Sequence, residues 1–411
     1  MRVAVIGAGI VGVSTAFELA RDGHAVSVFE RHGSVAEEAS FADAGLLSPA
    51  WVAPWGQAEP AGTGRPRWLG WWPGRRGDAD GAAARSERLH RLARYSQQRL
   101  QWLRQTLRLE HEHAPGVLLL LRRPADGAQA RRPLKRLAEL GAGFHLVDAA
   151  RARALEPGLN PEQPLHAAVQ LAGDEVGNCR QFAQLLRVAA QRLGTEFRFQ
   201  RTVLALQPGA QPGLRHRGPA ADDAPQDEAF DAAVVCAAAG GPALLQPLGL
   251  RPAWQHRPVV AVTAALRVVD GHPHLGPQGA LVDLARQTTI SRIGQRVRVS
   301  GAASARAGTP GAVDEAALQR LHAVLDDWFP GCLQAGPVQR WQGQHSALAD
   351  GLPLLGASGR AGIWLNLGHG GHAWALACGS ARVLADRLGG ARPEVDDSGL
   401  DATRLQPAAR G

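Results

Sequence analysis

Residues 3–30, VAVIGAGIVGVSTAFELARDGHAVSVFE, form one unbroken run of strand, glycine turn, helix and second strand ending in a carboxylate. Val3, Ala4, Val5 and Ile6 are a short apolar stretch suited to a buried parallel strand. Gly7, Gly9 and Gly12 follow with the G-x-G-x-x-G spacing. The first glycine permits the tight turn, the second lets backbone approach a pyrophosphate, and the third lets the helix pack closely on the strand. The helix, expected from about Val13 to Asp22, turns its unpaired N–H groups and the positive end of its dipole toward the phosphates. Ala25 to Phe29 reads as the second strand. Glu30 stands 23 positions after Gly7, where a carboxylate can accept hydrogen bonds from a ribose diol. Together these features predict an adenine-dinucleotide site, with NAD and FAD equally allowed.

At 411 residues the chain exceeds one typical core, so two domains are expected, and 45% hydrophobic content suffices for both. The formal charge of +8 would ordinarily point to nucleic acid or an anionic membrane. Here the basic residues are scattered and no aromatic stacking motif accompanies them, so no nucleic-acid partner is expected. Lys135, Met1 and Tyr95 are the sole residues of their types, and such a bias toward Ala, Gly, Arg and Pro accounts for the arginine excess. Cys179, Cys236, Cys332 and Cys378 lie far apart without C-x-x-C or metal-ligand spacing, which predicts a reducing compartment and no metal site. A strand begins at once, with no basic leader region, and no run of about 18 apolar residues follows, so a cytoplasmic protein is expected. Trp51, Trp55, Trp68, Trp71 and Trp72, interleaved with Arg65, Arg67, Arg75 and Arg76, leave peripheral contact with the inner membrane open.

Further along, the small-residue stretch Ala39 to Pro49 lets Ala44 and Gly45 lie flat against a planar ring, and a Pro/Gly/Trp-rich loop runs to about Gly81. Helical periodicity marks Ser86 to Leu109, Leu134 to Leu140, Cys179 to Leu193, Val313 to Trp328 and Ala373 to Leu388. Strands are expected at Val117 to Leu121, Glu196 to Phe199, Val203 to Leu206, Asp231 to Ala237 (stopping at Gly240-Gly241) and Gly362 to Leu367. Val259 to Leu266, Ala280 to Asp283, Thr288 to Ile293 and Arg296 to Ser300 read as antiparallel strands of a second domain.

Four blocks in order and spacing, MRVAVIGAGIVGVSTAFELARDGHAVSVFER, ADAGLLSPAWVAPW, GNCRQFAQLLRVAAQRLGTEFRF and WLNLGHGGHAWALACGSARVLADRL, resemble the D-amino-acid oxidase superfamily of FAD flavoproteins. The likeness covers nearly the whole chain and is strongest to its bacterial D-amino-acid dehydrogenase small-subunit branch. It implies an α/β fold: a Rossmann-like, glutathione-reductase-like FAD domain from residues 1–48, 146–250 and 346–411, and an α+β substrate or cap domain, built on a mainly antiparallel sheet, from 49–145 and 251–345. It also implies FAD in extended form. Adenosine would lie near Glu30 and Arg31, with Val203 meeting adenine; pyrophosphate at Gly7, Gly9, Ile10, Val11 and Gly12; the flavin near Asp43, Ala44, Gly45, Leu46 and Leu47; and Gly240 would also contact the cofactor. Gly368, His369, Gly370, Gly371 and His372 would close over the flavin, with N–H groups at the head of the last helix stabilising charge on its N1/O2 edge. The activity implied is oxidation of a D-amino acid or related small amine by hydride transfer to flavin N5. An imine results and hydrolyses, and electrons pass to a quinone or similar acceptor. Alternatives are a glycine- or sarcosine-type oxidase using O2 and a flavin-binding accessory protein that has lost turnover. Cys378, near the flavin block, is a candidate to check for covalent flavin attachment.

The substrate half departs from that pattern. The family's G-L-R-P-like stretch reads WQGQHSALADGLPLLG, Trp341 to Gly356, so the carboxylate-clamping arginine becomes His345 and the proline Ser346. A histidine cannot form the guanidinium fork. The lysine-glycine-tyrosine-like segment reads Arg257-Pro258-Val259, a tyrosine near the active site reads Arg286, and the asparagine of the N-A-G segment reads Asp43. His345, Arg286, His369 and His372 are the expected substrate-side residues, with Arg286 a candidate replacement clamp.

Overall fold

The computed structural model describes residues 1–53, 55, 79–220, 222–270, 275–303 and 314–405. The opening run folds into the strand Arg2–Ile6, the helix Ile10–Arg21 and the strand Ala25–Phe29. The helix starts earlier than its apolar period suggested, because Gly9 caps it and Gly12 lies within its first turn. Arg2–Ile6 is central in a six-stranded sheet ordered Leu354–Ala357, Ile363–Leu367, Ala232–Val235, Arg2–Ile6, Ala25–Phe29 and Glu196–Arg198. Every pairing is parallel except that of the outer strand Leu354–Ala357. Period-two alternation divides the first strand between two cores. Val3 and Val5 face the helices Ile10–Arg21, Ala79–Leu107, Cys179–Arg192 and Ala373–Leu388. Ala4 and Ile6 face the other way, onto Leu206 and Leu214 of the small sheet made by Thr202–Gln207, Gly213–Arg217 and Gln226–Ala229.

The second sheet runs Gln339–Leu348, Trp254–Ala265, Arg296–Ala302, Thr288–Ile293, Ala280–Asp283, Ala114–Leu121, Ala167–Val176 and Leu46–Leu47, with His145–Asp148 also pairing to Ala167–Val176. It is antiparallel except where Ala280–Asp283 meets Ala114–Leu121. One face, carrying Val260, Val262, Ile290, Val297 and Val299, is covered by the helix Glu315–Trp328. The opposite face looks toward the nucleotide half.

The two halves interleave more than the expected division. Residues 146–148 of the strand His145–Asp148, and all of Ala167–Val176, fall in the piece expected to join the nucleotide domain but belong to strands of the second sheet. Leu46 and Leu47 extend that sheet by pairing with Val176 and Glu175. Conversely, Ala79–Leu107, expected in the cap, buries Leu89, Leu92, Leu100 and Leu103 in the nucleotide core. Its apolar stripe finds its partner in the closing helix. Among the described residues no helix is long and apolar enough to cross a membrane. Trp51 and Trp55 stack on each other, and Trp55 is buried in a core cluster; the remaining residues of the tryptophan–arginine cluster lie outside the described residues.

Candidate active site

The glycine turn is a cradle shaped for backbone alone. Gly7 has φ +98°, a left-handed value. A Cβ on Gly12 would lie 1.9 Å from the Gly7 carbonyl oxygen, so this helix can approach its strand only with glycine there. Gly9 caps the helix without a side chain, leaving the entry open; the Ile10 N–H donates to Ser40 Oγ at 3.1 Å. The carboxylate of Glu30 accepts from Ala8 N–H at 2.7 Å and His32 N–H at 2.9 Å. It thus staples the turn, and each oxygen retains a lone pair for a ribose hydroxyl. Arg31 is exposed and pairs with Glu38, which also bonds His32. Val203 is half-buried in the small sheet at a local irregularity of the ladder, and Gly240 caps the short helix Gly241–Leu245. A helix start without a side-chain cap, a turn with no room for a Cβ at Gly12 and a terminal acid fit an extended adenine dinucleotide.

From there Asp43, Ala44 and Gly45 pass beneath the second sheet. Ser291 Oγ donates to the Ala44 carbonyl at 2.6 Å, and Arg298 donates to the Asp43 carbonyl at 2.9 Å and to Thr263 Oγ1 at 3.0 Å. Gly45, at φ +84°, lies so close to Gly177 that a Cβ would fall 2.8 Å from that residue's carbonyl oxygen. The segment is therefore held flat. The Asp43 side chain accepts from Gly45 N–H at 2.8 Å, and burial pushes its carboxyl up to about 6 despite that bond and the Arg298 charge. Outside this segment, a polar cleft of about 330 Å³ is lined by Arg298, Arg296, Arg180, Asn178 and Glu112 among others.

The closing glycines approach from the opposite end. Strand Ile363–Leu367 ends at Gly368, φ +83°, and Gly370–His372 makes one 3₁₀ turn into the helix Ala373–Leu388. That turn rests on Gln339–Leu348: a Cβ on Gly370 would meet Ala347 Cβ at 2.9 Å, and one on Gly371 would meet His345 Nδ1 at 2.9 Å. Trp341, on the same face, folds its ring over Gly343, whose missing side chain leaves the space.

The sequence-expected residues divide accordingly. His345 is half-buried against Gly371, and burial together with the charge of Arg257 lowers its pKa to about 4, so it is neutral at pH 7. His369 is buried with Nε2 3.2 Å from Ser380 Oγ, and burial alone pushes it down to about 3; it pins the glycine turn to the last helix. His372 is half-buried at the helix cap. Arg286 is exposed in the turn between Ala280–Asp283 and Thr288–Ile293, three strands from His345, which is roughly 14 Å at ordinary strand spacing. The structure does not bring those two together. Cys378 is buried, and its environment includes Ser14 and Glu18 of the opening helix; burial raises the thiol to about 12, which suppresses its nucleophilicity. Sequence reading missed Arg298 and Ser291, whose side chains bond the flat segment, and Trp341, which covers Gly343 on the same face of the sheet.

The family model described as FAD dependent oxidoreductase (DAO) matches residues 2–387. A D-amino acid dehydrogenase of Rhizorhabdus wittichii is 33% identical over 98% of this chain and 100% of its own length. One from Cereibacter sphaeroides is 34% identical over 100% and 97%. Among solved structures, glycine oxidase from Geobacillus kaustophilus superposes with a TM-score of 0.76 at 21% identity, covering 98% of this chain and 99% of that one. L-proline dehydrogenase from P. horikoshii gives 0.74 at 15% identity, covering 98% and 97%. The chain belongs to the DAO family of FAD-dependent oxidoreductases. FAD, rather than NAD, is the dinucleotide that the opening motif serves.

Proposed function

We propose that this protein is an FAD-dependent dehydrogenase that oxidatively deaminates D-amino acids and passes the electrons to a quinone-like acceptor. The carrying observation is that the Gly370–His372 turn, at the head of the last helix, lies against His345 and Ala347 on the inner face of the second sheet. Substrate-side and cofactor-side elements thereby meet at one place. Gly7, Gly9, Ile10, Val11 and Gly12 would hold the pyrophosphate, Glu30 and Arg31 the ribose and Val203 the adenine, with Gly240 also contacting the cofactor. Asp43, Ala44, Gly45, Leu46 and Leu47, with Gly368 to His372, would frame the flavin ring. Bound there, FAD supplies the two-electron acceptor for the α-carbon hydride, and water hydrolyses the imine to a 2-oxo acid and ammonia.

The chain's own groups position and polarise. N–H groups at the start of Ala373–Leu388, together with the positive end of that helix, favour negative charge gathering beside Gly371. His345, neutral at pH 7, offers a hydrogen bond to substrate without adding charge. Names of the full-length relatives support D-amino acids as the substrate class. The likeness to glycine oxidase favours, as a second reading, an oxidase that uses O2. Peripheral contact with a membrane, through residues around Trp68 to Trp72, would suit delivery of electrons to a membrane quinone.

The holoenzyme should be supplied with D-amino acids, L-amino acids and N-methylglycine in turn, with either a soluble quinone or air as acceptor. Equal yields of 2-oxo acid, ammonia and reduced quinone from D-amino acids are expected. Hydrogen peroxide matching the 2-oxo acid would transfer the assignment to the oxidase reading, and FAD-loaded protein forming no product from any amine would end both.

A further inference from the structure

We propose that Arg257 supplies the substrate-carboxylate contact that His345 cannot make; this rests on the amino-acid reading of the site. In the antiparallel pairing of Trp254–Ala265 with Gln339–Leu348, Arg257 stands directly opposite His345. Opposed residues project from the same face, with Cβ atoms about 5 Å apart. That face is the inner one. Val260 and Val262, on the alternate positions, are buried beneath the helix Glu315–Trp328, whereas Ala347 and His345 meet Gly370 and Gly371.

Arg257 is exposed and has no ion pair or side-chain hydrogen bond among the described residues. Its fork of donors is available for a bidentate carboxylate. Two other arginines of this sheet are placed differently. Arg298 donates to Thr263 and the Asp43 carbonyl, and Thr263 lies six residues along the strand from Arg257, roughly 20 Å. Arg286 sits in an exposed turn three strands from His345. His345, neutral and touching Gly371, is left to complement the carboxylate by hydrogen bonding. The positive charge has thus moved one strand over, from the position of the family's clamp to its cross-strand neighbour.

Pyruvate, a carboxylate that cannot be deaminated, is the probe, and perturbation of the oxidised flavin spectrum is the readout, with FAD content matched across variants. Arg257→Gln should weaken pyruvate binding by about tenfold or more, Arg257→Lys should retain part of the affinity, and His345→Gln should lose less than Arg257→Gln. Affinity in Arg257→Gln within about twofold of the unaltered protein would overturn the assignment, as would failure of the unaltered protein to bind millimolar pyruvate. If pyruvate binding depends on Arg257 while no amino acid reduces the flavin, the deaminase reading falls and the anion site stands. If D-amino acids reduce the flavin while pyruvate ignores Arg257, the reverse holds.

Discussion

Gly12 has no room for even one carbon, because a Cβ would sit 1.9 Å from the Gly7 carbonyl oxygen. Gly12→Ala should therefore displace the helix from the strand and yield protein that retains little FAD after gel filtration. Gly33→Ala, where no atom lies within 4 Å of the added carbon, should retain FAD fully. Titration supplies a second residue-scale prediction. His369, pushed down to about 3, and His111 and His345, each to about 4, stay neutral in the folded protein while their unfolded counterparts protonate below about 6.5. Each therefore destabilises the fold as pH drops from 6.5 toward those values. Asp43 and Asp174, raised to about 6, act oppositely: the folded state takes up protons below 6, which favours it until about 4. Three histidines outweigh two aspartates, so stability should fall by on the order of a few kcal/mol between pH 6.5 and 4. Thermal midpoints across that range check it, and His369→Asn should flatten the slope; a midpoint rising on acidification would contradict the balance. The glycines and Glu30 were legible in sequence because a nucleotide turn dictates their spacing. Arg298 was not, because Val297 and Val299 mark a core face and convention assigns the alternate residues to solvent.

Three helices of the nucleotide half are latched by one buried acid. Glu18 of Ile10–Arg21 accepts from Arg99 of Ala79–Leu107 at 2.6 and 2.9 Å and from Arg382 of Ala373–Leu388 at 2.9 Å, with 1% of its surface exposed. Removing one member of such a cluster strands the other charges. Glu18→Ala should cost about 3–5 kcal/mol, seen as a lowered thermal midpoint at saturating FAD. A change smaller than the scatter between preparations would mean that the arginines find other partners. The latch explains why Ala79–Leu107, though its apolar stripe was evident, joins the nucleotide half: periodicity gives a helix its face but not its partner. Two of the strands that escaped sequence reading did so for related reasons. Gln339–Leu348, QRWQGQHSAL, has neither β-branched residues nor clean alternation, and Ala167–Val176, AAVQLAGDEV, carries Gly173 and two acids. Both are held by ladders to strong neighbours, Trp254–Ala265 and Ala114–Leu121, so tertiary pairing supplies what local propensity does not.

Across the whole molecule, the proposed substrate wall is the inner face of the second sheet and the proposed cofactor wall is the glycine-edged ends of the parallel sheet. The chain crosses between them at Ala44–Leu47, at Gly177 and at Leu348, which ties the flat segment beneath the cap to both halves. The proposed substrate wall carries at 345 a neutral imidazole beside Arg257. On the Arg257 proposal, activity toward carboxylated amines depends on charge from the neighbouring strand. The most direct test is anaerobic mixing of the FAD-loaded protein with single enantiomers of a panel of amino acids. Bleaching of the flavin band by D-enantiomers, with the L-enantiomers slower by about a hundredfold or more, is the predicted result. Equal bleaching by both enantiomers, or none by any amino acid with FAD fully bound, would contradict the account.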